Sequence, residues 1–175
     1  MQPNPKLFIM KKQLLIVVIV GFFSSLTSAA DLYVRDLGAG GSYASISAAI
    51  TAASDGDRII VRPKAGSLPY IENLTIDKSL SFVSEINFSK YILQGTITVT
   101  PAAGRLVTIN NLQISGTNAI TVSADTTGGR TTLNVLNSTT SAVNAGAANT
   151  TLNMSGCIGT GITMTHGRLT GNKIT

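Results

Sequence analysis

The second half of the chain repeats itself. From Leu106 onward, short runs of alternating apolar and polar residues recur at 107–114 then 119–123, at 131–136 then 142–145, and at 150–154 then 161–165; residues 167–170 open another. Aligning Ile109, Leu133 and Leu152 gives steps of 24 and 19, and aligning Ile120, Val143 and Ile162 gives steps of 23 and 19. An insertion at 125–129, Asp-Thr-Thr-Gly-Gly, accounts for the longer first step and reads as a turn. A period of about twenty residues with two strand-like runs per repeat marks a solenoid. One coil cannot bury its own apolar face, so the Ile, Leu, Val and Met of successive coils must stack. Asn110 or Asn111, Asn134 and Asn153 recur beside the same apolar positions, where stacked amides can bond from coil to coil. Helices fit badly, because Thr, Ser, Gly and Asn are poor helix-interior residues and the apolar spacing is two.

The alternation begins earlier. Leu74 and Ile76 alternate with Asn73, Thr75 and Asp77; Leu80 and Phe82 alternate with Ser79 and Ser81; Ile97 and Val99 alternate with Thr96, Thr98 and Thr100, and Pro101 closes that run. One helix precedes them. Ile46, Ala49, Ile50 and Ala53 fall at i, i+3, i+4 and i+7, with Ser42 as the expected N-cap and Gly56 as the expected stop. Residues 58–62 then alternate as a strand up to Pro63, and a loop with Gly66 and Pro69 as breakers follows. A lone helix ahead of a strand array is expected to plug the first coil. The expected core is Ile59, Val61, Leu74, Ile76, Ile97, Val99, Ile109, Leu133, Val135, Leu152, Met154 and Ile162.

Four segments carry a resemblance: Asp31-Leu-Tyr-Val-Arg-Asp36, Ser45-Ile-Ser-Ala-Ala-Ile50, Gly56-Asp-Arg-Ile-Ile-Val61 and the stretch from Tyr70 to Leu80. Over residues 31 to 85 the chain resembles the opening of right-handed parallel β-helix proteins, the pectin-lyase-like superfamily. The resemblance implies an all-β, right-handed parallel β-helix with a short N-terminal capping helix. It implies no single activity, because lyases, hydrolases, esterases, adhesins and structural proteins share this start.

The front of the chain reads as an export signal. Lys11 and Lys12 precede an apolar run from Leu14 to Phe23, and small residues from Ser24 to Ala30 follow. Cleavage after Ala29 or Ala30 leaves residues 1–30 as a bacterial-type signal peptide and 31–175 as one β-helix domain, secreted or at the cell surface. Met10 is an alternative start. The apolar run is too short to read first as a membrane span, so none is expected after cleavage. Without Lys6, Lys11 and Lys12, ten basic residues face eight acidic ones, a balance of +2. With no basic run interleaved with aromatics, that balance argues against nucleic acid. Cys157 is the only cysteine, expected as a small buried hydrophobe. Asn73, Asn87, Asn137, Asn149 and Asn153 each open an Asn-x-Ser/Thr triplet, explained by the abundance of Asn and Thr in strands and turns.

The chemistry expected of family enzymes needs clustered carboxylates, for acid–base work or for Ca²⁺. Asp31, Asp36, Asp55, Asp57, Glu72, Asp77 and Glu85 all precede the repeats, and only Asp125 follows. The turn Asp55-Gly-Asp57 lacks the remaining ligands of a calcium loop. His166, beside Gly167, reads as a solvated turn residue, and Arg105, Arg130 and Arg168 as surface charges near coil starts. Thr96-Ile-Thr-Val-Thr100, Thr121-Val-Ser123 and Thr163-Met-Thr165 set hydroxyls on an outward face, interrupted by Asn144. That pattern resembles the ladders of ice-binding proteins, but its regularity is poor and strand propensity alone favours Thr.

The expectation is a non-catalytic scaffold or adhesin-like β-helix segment with no catalytic, cofactor or metal residues, contacting polysaccharide or other cell-surface components. The alternative is the front of a pectate-lyase-like or glycoside-hydrolase-like enzyme whose catalytic coils lie downstream. The last coil, at Lys173 to Thr175, is expected to be open, incomplete at the C-terminus and able to pair with another chain.

Overall fold

The computed structural model describes residues 28–124 and 128–175. The expected leader, apart from its last three residues, and Asp125 with the heart of its insertion lie outside the described residues.

The described residues form sixteen short strands, one α-helix and two short 3₁₀ segments, and every strand pairing is parallel. The first sheet stacks β1 (Asp31–Val34), β2 (Arg58–Val61), β5 (Leu80–Ser84), β8 (Leu106–Asn110), β11 (Thr131–Leu136), β13 (Thr150–Ser155) and β15 (His166–Thr170). The second runs through β3 (Tyr70–Ile71), β6 (Tyr91–Gln94), β9 (Leu112–Ile114), β12 (Thr139–Ala145), β10 (Ala119–Val122), β7 (Ile97–Val99) and β4 (Leu74–Ile76). Off that path, β14 (Ile158–Met164) pairs with β12 and with β16 (Lys173–Ile174). This is the stacked-coil arrangement of a β-solenoid.

An early coil has three runs, not two. The apolar stretch 107–114 breaks at Asn111, whose φ of 57° turns the chain between β8 and β9. In the next coil Asn137 takes the same conformation at φ 48°, and Gly156 and Gly171 take it after that at 64° and 60°. Asn and Gly suit these corners because they enter left-handed backbone at least cost. Each corner N–H then donates to the following coil: Asn111 to Leu136 O, Asn137 to Ser155 O and Gly156 to Thr170 O, at 3.2, 2.9 and 3.1 Å. The strand β6 has no counterpart among the expected elements.

The register corrects two alignments. Leu133 sits opposite Val107 and Leu152, and Ile109 opposite Val135, so the first repeat is two residues longer than the alignment of Ile109 with Leu133. The pairing of Ile120, Val143 and Ile162 stands as expected. The amide ladder therefore excludes Asn110 and Asn111. Asn153 Nδ2 donates to Asn134 Oδ1 at 3.0 Å, and Asn134 Nδ2 donates to Thr108 Oγ1 at 3.3 Å. Asn110 belongs instead to a corner pair, accepting from Asn137 Nδ2 at 3.3 Å.

The core runs along the stack, filled by inward Ile, Leu, Val and Met. Every expected core residue is buried except Ile162, which is half-buried near the far end of the stack. Helix α1 (Ile46–Ala52) closes the near end, its stripe of Ile46, Ala49 and Ile50 buried together with Ala53 just beyond it. Its N-cap is Ser45, not Ser42: Ser45 Oγ accepts from Ala48 N at 3.2 Å. The Ser42 hydroxyl is engaged in the preceding glycine turn, donating to Ala39 O at 2.7 Å. The helix ends at Ala52, because Ala53 is already extended at ψ 156°; Gly56, at φ 92°, serves the next turn. Cys157 is buried, and burial raises its thiol pKa.

Candidate functional site

Six of the seven carboxylates of the first third are engaged in holding the fold; Asp77, just after β4, is exposed and makes no hydrogen bond or ion pair with a described residue. Asp57 accepts from the N–H groups of Ala30 and Ser54, both at 2.7 Å, and Asp55 accepts from Ser79 N at 2.6 Å. Asp57 thus closes the turn between α1 and β2, and Asp55 ties that turn to the residue before β5. Glu72 accepts from Ile46 N at 2.8 Å, Ser47 N at 2.9 Å and Ser47 Oγ at 2.6 Å, capping the helix from a neighbouring coil. Asp31 pairs with Arg58 at 2.6 Å and Asp36 with Lys64 at 3.2 Å. Among the described residues, no three His, Cys, Asp or Glu side chains gather where they could hold a metal ion.

The other residues considered for chemistry are dispersed. His166 is exposed in β15 opposite Thr151, not in a turn, because the chain re-enters the first sheet there. Arg168 lies in the same strand opposite Asn153. Arg105 donates to Thr100 O just before β8, and Arg130 is exposed just before β11. The outward file of the second sheet reads Thr75, Thr98, Thr121, Asn144 and Thr163, so the hydroxyl ladder is broken at Asn144 as expected.

What the structure does bring together lies at the corner of the coils. A groove of 610 Å³ runs over the outer face of β1, β2 and β5, between Tyr33, Arg35 and Arg58 on one side and Asn87, Asn110 and Asn111 on the other. A second groove, of 500 Å³, shares those three asparagines and continues past Phe88 and Lys90 to Asn137 and Gly156. Both depend on the loop of residues 85–90 that leads from β5 into β6. Glu85 anchors the loop by accepting from Arg35 Nη2 at 2.5 Å and Nε at 3.2 Å. That contact, and Arg62 at 4.0 Å, hold the Glu85 carboxyl below its usual pKa. The Arg35 guanidinium also lies 5.1 Å from the centre of the Tyr33 ring. At the loop tip Phe88 is 99% exposed at φ 61°. Lys90 turns inward, its Nζ donating to Thr139 Oγ1 at 2.6 Å.

The sequence marks Asn110 and Asn111 as ladder residues and Asn87 and Asn137 as openers of Asn-x-Ser/Thr triplets, but nothing in it shows that they meet at a corner. The only available signal was the extra length between Phe82 and Tyr91, where the spacing of apolar pairs lapses. No protein-family model, no curated protein and no solved structure matches this chain.

Proposed function

We propose that the protein is a non-catalytic, exported right-handed parallel β-helix of the pectin-lyase-like kind, a scaffold or adhesin-like segment whose polar outer face contacts polysaccharide. One observation carries the reading: of the seven carboxylates before the repeats, six, Asp31, Asp36, Asp55, Asp57, Glu72 and Glu85, each pair with a cation or cap backbone N–H groups within the fold, which leaves Asp77 without a second carboxylate to work beside. An acid–base pair needs carboxylates free to meet a substrate, with pKa values drawn apart. The carboxyls of Asp31 and Glu85 are instead both drawn down by arginine partners. The capped start of the stack, the parallel coils and the Asn, Ser and Thr on the outer faces support the architecture and the scaffold role.

The test pairs an activity assay with a binding assay on the whole chain. Incubation with polygalacturonate, xylan and galactomannan should release neither unsaturated uronides nor new reducing ends, while at least one of these polysaccharides should retard the protein in affinity electrophoresis. Release of either product would overturn the non-catalytic reading. Retardation by none would overturn the polysaccharide contact.

A further inference from the structure

Phe88 is unusual in three independent ways. It is almost wholly exposed, and its backbone lies in the left-handed region at φ 61°, where bulky side chains are disfavoured. It also projects beside a groove walled by amides rather than by apolar groups. An exposed ring adds little to folding, and its backbone conformation works against folding. Strain of this sort, held by a loop that Glu85 anchors, points to a role in binding.

The surroundings define the ligand. Asn87 and Asn111 make no side-chain hydrogen bond to any described residue, and Asn110 uses only its carbonyl oxygen, toward Asn137. Each amide thus offers donor and acceptor atoms that can meet a pair of vicinal hydroxyls. The guanidinium charges near them are paired, Arg35 with Glu85 and Arg58 with Asp31, while the Lys90 ammonium donates to the neutral Thr139 hydroxyl. A ring face for stacking, several uncommitted amides and two arginines already paired with carboxylates suit an uncharged sugar chain. An apolar protein segment or a lipid surface would need apolar walls around Phe88.

We infer that the corner groove from Tyr33 to Asn137 binds a neutral glycan, with Phe88 stacked on a sugar face and Asn87, Asn110 and Asn111 hydrogen-bonded to its hydroxyls. The site rests on the polysaccharide-contact reading above and gives it a place and a ligand class. It lies at the corner between the two sheets, away from the Thr75–Thr163 hydroxyl file.

Affinity electrophoresis of the whole chain in gels containing dextran, xylan, galactomannan or polygalacturonate tests it. At least one neutral polymer should retard the protein. Phe88→Gly should weaken that retardation about tenfold, the scale expected for loss of an aromatic anchor, and should raise the melting temperature because glycine relieves the backbone. Asn111→Gly keeps the corner conformation and should also weaken binding, whereas Phe88→Tyr should retain it. Wild-type retardation by both glycine variants would overturn the site yet leave the polysaccharide reading standing. Retardation by polygalacturonate alone would overturn the neutral class. Phe88-dependent capture on phosphatidylcholine vesicles without any retardation would assign the ring to lipid and overturn the glycan site together with the reading beneath it.

Discussion

The first and last described coils differ in the side chains that tie them to their neighbours. At the near end, α1 inserts Ile46, Ala49 and Ile50 into the first coils, and polar groups from later coils tie the helix down. Glu72 caps its N-terminus, and Lys78 donates to the carbonyls of Ile50 and Thr51 at 2.8 and 3.0 Å. Tyr43 folds back on the β1 edge, with Tyr43 N donating to Tyr33 O at 2.8 Å and Arg35 N to Tyr43 O at 3.0 Å. At the far end, β15 and β16 each pair on one side only, and Leu169 and Ile174 are 43% and 47% exposed. Backbone pairing alone draws a coil out of the chain; side chains that cross between coils decide how firmly it is held. The near end has many such links. The last coil has few, chiefly Asn172, which accepts from Cys157 N and donates to Met154 O.

The contrast sets an order of effects. Ile46→Ala should be the most damaging, costing about 2–5 kcal/mol in urea unfolding, because a cavity opens where the plug meets the first coils. A loss below 1 kcal/mol would mean that α1 is a dispensable lid. Gly95→Ala should cost upward of about 2 kcal/mol, since a Cβ there would lie 2.0 Å from Glu72 O and disturb the link between β3 and β4 that carries the helix cap. Glu72→Ala should cost about 1–2 kcal/mol and speed hydrogen exchange in α1 before the remaining strands. Leu169→Ala should fall within about 0.5 kcal/mol, as expected of a surface change; a larger loss would show that the far end carries structural weight in solution.

Acid should act on the near half. The Glu85 carboxyl has its pKa lowered in the fold by Arg35, so its contribution is complete above the unfolded value and fades as the pH falls through the lowered one. Thermal unfolding followed downward through the carboxylate range should show a loss that Glu85→Gln removes. An unchanged acid profile in that variant would mean the Arg35 contact adds nothing to stability.

Much of the fold was legible, for a physical reason: inward residues alternate, and alternation is what a half-buried strand must show. Register was less so. A slip of two residues leaves the same side chains facing inward, so Ile109 could be matched to Leu133 as plausibly as to Val135. Only the hydrogen-bond ladder separates the two. The helix cap was misplaced because two serines compete for it, and the glycine turn occupies Ser42. The corner groove was illegible because Tyr33, Asn87, Asn110 and Asn137 come from separate coils and meet only after the stack forms.

The all-parallel ladder also gives the molecule a mechanical direction. Tension applied at the C-terminus meets the weakly tied coils first and should strip them one at a time, like tape from a roll. Freeing the 19 residues between Leu133 and Leu152 lengthens the chain by at most about 65 Å, and the step from Val107 to Leu133 is longer, so a force trace should show teeth of unequal length that follow the coils. The last and tallest tooth would be the helix leaving the first coils.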